Sequence, residues 1–374
     1  MKFVVDRDPF LEALQRVAKV AQRGGAKTLI PILTHIRIDA GQRRLRIVAN
    51  DSSRELAVDL VADIAKPGAT TVSARALLDF VANGAGGEQV ELEGAARAGE
   101  RLTVRAGRAR AMLFTLPAED FPVFTGADAD PDCTVEIEGP ILADALAAVA
   151  YAQAGSSDQR AFLQGIYLHR QGDRSLVAVA TDGHRLSRAI VETGATLPEF
   201  PGTIVPSPAV EHARALAERA DTVEIGFSET LLRFSTEGAV FTTKLIDGTY
   251  PDYGRVVPEG LENGFDVNRE NLLQASKRCS AIVSEKGKPL KLSPADGALS
   301  LLGRGDEMGE ISDVVDADTT TRIPVGFNAA FLTATLEAIE GETVQARYAD
   351  ARGPVLFTDP TDPTRLQVLM PMMV

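Results

Sequence analysis

Asp182, His184 and Ser187 stand within one short segment, and aspartate, histidine and serine are the side chains of an acyl-transfer triad. A triad needs its nucleophile, base and orienting acid brought to one point. Side chains this close along a strand-to-turn segment alternate in direction and do not converge, so hydrolase chemistry is not expected. No G-x-S-x-G, phosphate-loop or H-E-x-x-H pattern occurs. The glycines of Gly303-Arg-Gly-Asp-Glu-Met-Gly309 have the wrong spacing for a dinucleotide loop. Four histidines and two isolated cysteines, Cys133 and Cys279, give no metal-ligand spacing. Reduced thiols in the cytoplasm are the expectation. The chemistry left is recognition. Met370-Pro-Met372, just before the final two residues, has side chains that adapt to varied apolar partners, although the same residues also suit a plain core strand.

The elements that would position these residues occur three times. Each third opens on a helix-like run: Asp8–Arg23, Gly139–Ala154 and Asn268–Val283. Each then passes through alternating strands and a second helix, and ends on a strand before a proline-marked loop. Those final strands are Met112–Leu116, Val240–Leu245 and Leu366–Met370. A repeat this long is a whole domain, not a solenoid unit. The expected domains are 1–125, 133–255 and 264–374. In the first helix Asp8 reads as a cap with Pro9 at the first helical position. Phe10, Leu14, Val17 and Ala21 fall on one side at helical spacing, with Arg16, Lys19 and Arg23 opposite. Second helices are expected at Ser73–Ala82, Ser207–Arg219 and Asn328–Ile339. The pattern implies α+β domains with helices on one sheet face. Glu119–Asp132 and Tyr250–Asn263 read as linkers.

The net charge of −13 alone argues against nucleic-acid binding, but its distribution matters more. Residues 1–125 hold 18 Lys and Arg against 15 Asp and Glu, whereas the remainder holds 21 against 37. One end is mildly basic and the rest acidic. Such asymmetry favours head-to-tail docking, because opposite potentials meet across the contact. Met1-Lys-Phe-Val-Val-Asp6 meets an acidic residue at once and lacks the apolar core of a signal peptide, so none is expected, and no apolar run is long enough to span a bilayer.

Several segments together resemble the beta sliding clamps of bacterial DNA polymerase III. They are Met1-Lys-Phe3, Gly68-Ala-Thr-Thr-Val72 with Ala74-Arg75, Leu116-Pro-Ala-Glu-Asp-Phe-Pro122, Thr181-Asp-Gly-His-Arg-Leu186, Lys244–Tyr253 and Met370-Pro-Met372. The match runs the length of the chain in order. It implies a DNA-clamp fold of three similar α+β domains, with helices lining the inside and antiparallel sheets outside. It also implies a head-to-tail homodimeric ring around double-stranded DNA, held without regard to sequence. The family is a processivity factor with no cofactor and no chemistry of its own. Its partners are the polymerase III alpha subunit, the clamp loader, and other polymerases and repair proteins, which dock through short peptide motifs. No membrane partner is implied. The alternative from another class is a monomeric peptide-binding scaffold without ring closure.

By motif match, the partner-peptide pocket falls on Leu163, Thr181, Gly183, His184, Arg185, Leu186, Pro251, Arg255, Val256, Val368, Met370, Pro371 and Met372. Leu186, Val256 and Met370 are expected as its apolar floor, with Arg185 and Arg255 at the rim. DNA-facing candidates are Arg16, Lys19, Arg23, Lys27, Arg75, Lys277 and Arg278. The central third departs from the family: Pro140–Ala152 has no basic residue, and Ser207-Pro208 stand where basic residues are common. The chain also ends Met373-Val374, without the family's usual penultimate basic residue. For the subunit contact, Arg108 and Arg110 are expected opposite Asp306, Glu307 and Glu310, and Leu113 against Ile282 and Val283. Exposed ion pairs contribute only ~0–1 kcal/mol each, so strand addition and apolar packing must hold that contact.

Overall fold

The computed structural model describes residues 1–22, 30–41, 44–84, 88–94, 101–122, 124, 130–282, 289–305 and 308–373. The first third carries β1 (Lys2–Asp6), α1 (Arg7–Val17), β2 (His35–Ala40), β3 (Leu45–Asn50), β4 (Arg54–Leu60), β5 (Asp63–Lys66), β6 (Gly68–Ser73), α2 (Ala74–Asn83), β7 (Gln89–Glu93), β8 (Arg101–Ala106) and β9 (Ala109–Leu116). The central third follows with β10 (Cys133–Glu138), α3 (Gly139–Ala150), β11 (Gly165–Gln171), β12 (Ser175–Thr181), β13 (Arg185–Glu192), β14 (Thr203–Pro206), α4 (Ser207–Ala217), β15 (Thr222–Phe227), β16 (Leu231–Thr236) and β17 (Ala239–Lys244). The last third has β18 (Asn263–Asn268), α5 (Arg269–Ser280), β19 (Leu290–Ala295), β20 (Ala298–Gly305), β21 (Gly309–Thr319), β22 (Val325–Phe327), α6 (Ala329–Glu337), β23 (Thr343–Tyr348), β24 (Val355–Asp359) and β25 (Asp362–Leu369).

Capping side chains set several helix starts. Ser73 accepts from the Ala76 N–H, Asn268 from Asn271, and Asn328 from Ala330 and Phe331, so donors with no intrahelical partner are satisfied. The first helix differs from expectation. It begins at Arg7 after Asp6, and neither Asp6 nor Asp8 caps it through a side-chain bond. Pro9 therefore sits at the third helical position, which it tolerates because the first four N–H groups bond nothing within the helix. Phe10, Leu14, Val17 and Ala21 are buried, as their spacing requires. Helices α3, α4 and α5 each end before the expected limit, at Ala150, Ala217 and Ser280.

The chain divides into two compact units, Met1–Gly139 with Ala215–Lys244, and Pro140–Arg214 with Leu245–Val374. The first unit holds an antiparallel sheet ordered β10-β15-β16-β17-β4-β3-β2-β6-β9-β8-β7-β1-β5. Within it β17 of the central third joins β4 of the first, from Ala239↔Val58 to Thr243↔Arg54. The second unit holds a sheet ordered β14-β11-β12-β13-β25-β24-β23-β18-β21-β20-β19-β22. There β13 of the central third joins β25 of the last, from Arg185↔Leu369 to Ala189↔Arg365. Sequence-distant edges are thus closed by pairing with the neighbouring third, which removes unpaired backbone groups.

Beyond the terminal strands β10, β5, β14 and β22, which have one neighbour each, β9 and β21 leave long stretches of one edge unpaired within the sheets among the described residues. Strand β9 pairs with β8 over Ala109–Phe114 but reaches β6 only through Thr115 and Leu116. Strand β21 pairs with β20 over Gly309–Asp316 but reaches β18 only through Ala317–Thr319.

Candidate functional site

The turn between β12 and β13 is built from its own side chains. Asp182 accepts the backbone N–H of His184 (2.8 Å) and Arg185 (3.0 Å), and its second oxygen takes the Arg185 Nε–H at 3.0 Å. Thr181 donates its hydroxyl to the Arg185 carbonyl at 2.7 Å and accepts the Gly183 N–H at 3.1 Å. Gly183 has φ +87°, and a Cβ there would lie 3.0 Å from a guanidinium nitrogen of Arg160, so both backbone and space call for glycine. These bonds dispose of the hydrolase alternative. The Asp182 carboxylate is spent on the turn, and buried Ser187 donates to the Ala148 carbonyl.

This turn forms one side of a cleft of about 290 Å³. Ten of the residues expected there line it: Leu163, Thr181, Gly183, His184, Arg185, Leu186, Pro251, Val256, Val368 and Met370. Arg160, Phe162, Asp252 and Tyr253 line it too, and motif matching missed them. The floor differs from expectation. Leu163, Leu186 and Val368 are buried, while Val256 and Met370 are exposed and stand at the rim. Met370 comes from the end of the β25 segment, and its N–H bonds the His184 carbonyl. The arrangement offers a buried aliphatic base under an adaptable rim, which suits an aliphatic or aromatic anchor.

Arg185 is not the free rim cation expected from sequence. Its guanidinium is committed to Asp182 and lies 4.4 Å from the Phe331 ring centre and 5.3 Å from that of Tyr151. Phe331 is in the first turn of α6, placed by the Asn328 cap, and also stacks on His184. Arg160 takes the rim position instead. Its guanidinium donates two bonds to Asp158, at 3.0 and 2.8 Å, and one to the Asp182 carbonyl at 2.9 Å, and its backbone N–H donates a further bond to Asp158 at 2.8 Å. The Arg160 guanidinium pulls the Asp158 carboxyl down to a pKa of about 2. The signal that would have found Arg160 is Asp158-Gln-Arg160, an acid two residues before a base just ahead of Leu163.

Three expected pocket residues do not line the cleft. Arg255 turns to Asp252 at 2.9 Å on an exposed surface. Met372 donates its N–H to the Gly326 carbonyl at 2.7 Å, which draws the chain end toward β22, and Pro371 lies between Met370 and that bridge.

An aromatic array backs the cleft. Tyr250 stacks on Tyr167 at 4.7 Å and 5°, Tyr167 on His169 at 5.0 Å, and the Tyr253 hydroxyl lies 2.8 Å from His169 Nε2. Burial pushes the Tyr250 and Tyr253 hydroxyls above the usual tyrosine range. The expected linker Tyr250–Asn263 is therefore part of the packed structure at its start.

The DNA-facing candidates have mixed surroundings. Arg16 on α1 is half-buried, and that burial lowers its guanidinium pKa. Lys19 is exposed after the helix, and Arg75 on α2 is exposed beside Asp79 at 3.5 Å. Lys277 pairs with Glu337 at 2.7 Å and Arg278 with Asp313 at 2.6 Å, so both are partly neutralised within the chain. Arg23 and Lys27 lie outside the described residues.

Of the subunit-contact candidates, Arg108 and Arg110 are exposed and Leu113 is half-buried. Glu310 pairs with Arg304 of its own hairpin at 2.7 Å, so it is not held in reserve for Arg108 or Arg110. Ile282 is half-buried, with its carbonyl close to Gly305. Val283, Asp306 and Glu307 lie outside the described residues.

Sequence profiles for the DNA polymerase III beta subunit match in three parts: the N-terminal domain over residues 1–125, the central domain over 136–252 and the C-terminal domain over 254–373. The beta sliding clamp of Caulobacter vibrioides is 34% identical, with all of both chains covered. That of Escherichia coli K12 is 30% identical, also over the whole of both. Among solved structures, the Caulobacter crescentus beta sliding clamp superposes with a TM-score of 0.93 at 34% identity, covering 100% of this chain and 99% of that one. A Pseudomonas aeruginosa sliding clamp bound to griselimycin gives 0.92 at 29% identity, with both chains covered in full. The chain belongs to the beta sliding clamp family, the beta subunits of bacterial DNA polymerase III.

Proposed function

We propose that two copies of this chain close head to tail into a ring around duplex DNA, with helices toward the DNA and sheets outside. The cleft beside Met370 then tethers the polymerase III alpha subunit, the clamp loader and repair proteins by short peptide segments. The observation that carries the ring is the pair of open edges on β9 and β21. The other two thirds-to-thirds edges, β4 with β17 and β13 with β25, are closed by antiparallel pairing. A third such pairing needs a second copy, and applied twice it closes a symmetric dimer. Exposed Met112 and Phe114 on β9 and Val314 on β21 supply apolar area for it.

Such a ring keeps its hold by topology, so its contacts to DNA need only be weak and sequence-blind. Phosphate contacts through Lys19, Arg75 and their neighbours meet that need, because they position without reading bases. The acidic remainder of the surface discourages other nucleic acid. No described helix is long and apolar enough to cross a membrane, and we place the protein in the cytoplasm with the replication machinery. The test is retention after loading. The protein should stay on nicked circular plasmid and run off the same plasmid once linearised. Equal retention on both forms, or a single-subunit mass in solution at all concentrations, would instead indicate a monomeric peptide-binding scaffold.

A further inference from the structure

Two turns in this chain are built alike and differ in the fate of one aromatic ring. Asp51-Ser52-Ser53-Arg54 joins β3 to β4 as Asp182-Gly183-His184-Arg185 joins β12 to β13. Asp51 accepts the N–H of Ser53 (2.9 Å) and Arg54 (2.8 Å) and the Arg54 guanidinium (2.6 Å), the same bonds Asp182 makes. Ser52 has φ +75°, matching Gly183. The Lys244 N–H donates to the Ser53 carbonyl at 2.9 Å, as that of Met370 does to His184 at 2.8 Å. Lys244 is thus the counterpart of Met370. Phe121-Pro122 and Phe124 likewise repeat the spacing of Tyr250-Pro251 and Tyr253.

At the first turn the ring is packed in. Phe124 is 5% exposed and lies 5.8 Å from the Lys244 ammonium. At the second turn Tyr253 stays half-exposed on the cleft wall. Its hydroxyl meets His169 Nε2 at 2.8 Å. His169 Nδ1 lies 3.0 Å from the Arg170 carbonyl, so it carries the proton and Nε2 accepts from the tyrosine. Stacking on Tyr167 fixes the imidazole plane. The counterpart of His169 is Asp39, since Arg37↔Val48 matches Tyr167↔Val179 in register. Asp39 bonds Arg37 instead, and Phe124 has no hydroxyl to hold.

We propose that His169 is a positioning residue of the cleft: it holds Tyr253 against the wall and keeps open the space beside Met370. An apolar cleft in water draws in any ring free to reach it, because burial is favourable. The Tyr253–His169 bond opposes that collapse. The proposal rests on the cleft being the peptide site.

The test measures binding of a fluorescein-labelled peptide from the tail of the polymerase III alpha subunit. His169→Phe and Tyr253→Phe should each weaken binding about five-fold, the effect of one net hydrogen bond. His169→Gln, which keeps an acceptor, should recover most of that loss. In a Tyr253→Ala background His169→Phe should have no effect, because no ring remains to fall inward. An equal effect of His169→Phe in both backgrounds would overturn the proposal. So would binding that responds to Met370→Ala but ignores His169→Phe. Binding that ignores Met370→Ala as well would overturn the peptide-site reading along with it.

Discussion

The backbone N–H of Met370 donates to the carbonyl oxygen of His184 at 2.8 Å. That one bond ties the end of the last third to the turn of the central third and holds Met370 at the rim of the cleft that Leu186 and Val368 also line. The side chain is free of this bond, so its truncation leaves the scaffold intact. Met370→Ala should therefore weaken tail-peptide binding about ten-fold or more, in the range of a central interface anchor. The mass of the assembly should be unchanged. Calorimetry of the peptide and sizing of the protein check the two halves separately, and loss of the dimer would contradict the assignment.

Arg185 does structural work beneath the cleft. Its side chain is 15% exposed, paired with Asp182 and flanked by the rings of Phe331 and Tyr151. Lysine keeps the charge but not the flat face or the fork of donors. Arg185→Lys should cost about 1–2 kcal/mol of stability and weaken peptide binding, because the His184 carbonyl that anchors Met370 loses its fixed position. Arg185→Ala should cost more, since it leaves Asp182 without its cation. Denaturant unfolding at one fixed protein concentration, so that dimerisation contributes equally, gives the comparison.

The rim pair of Asp158 and Arg160 makes a prediction in pH. The folded carboxyl has a pKa of about 2, below the 3.8 of a free aspartate, chiefly because it accepts from the Arg160 side chain. A depressed carboxylate contributes stability above its free pKa and loses it as pH falls through the folded value. The pair should therefore persist to about pH 4 and open between about pH 4 and 2. Carboxyl-carbon NMR of Asp158 should show a midpoint near 2 that moves up toward 3.8 in Arg160→Ala. An unmoved midpoint would show that Arg160 is not the cause.

Much of this was written locally. The opening helices, the second helices and the closing strand of each third follow from spacing, and Ser73, Asn268 and Asn328 cap as their residue types suggest. By contrast, α1 has no side-chain cap and ends at Val17, and strands such as β13 and β18 to β22 were not placed from sequence. The Thr181–Leu186 turn was legible because the bonds that the Thr181 and Asp182 side chains make to shape it lie within five residues. What sequence did not disclose depends on partners far along the chain. Arg185 read as a rim cation because Phe331, 146 positions away, is not visible from it. Met370 read as floor rather than rim because its exposure depends on where Pro251 and Val256 fold. The pairings of β4 with β17 and β13 with β25 are long-range and carry no local signature.

Phe114 offers the sharpest check on ring closure. It is 74% exposed on β9, with the Arg101 guanidinium 5.0 Å from its ring centre, and it lies on the stretch whose outer edge is open. Val314, 60% exposed, occupies the open stretch of β21. An apolar ring left in water on a strand edge gains by being covered, whereas a carboxylate there resists burial. A second copy bringing β21 alongside would also bring acidic Asp316 and Glu310 near the new charge. Phe114→Asp should thus shift the protein to a single-subunit mass at concentrations where the parent is dimeric, while its circular dichroism spectrum stays the same. Retention on nicked circular plasmid should be lost with it. Val61→Asp is the control: Val61 is 90% exposed between β4 and β5, on neither β9 nor β21, and the substitution should leave both mass and retention unchanged. A dimeric Phe114→Asp protein would place the subunit contact elsewhere.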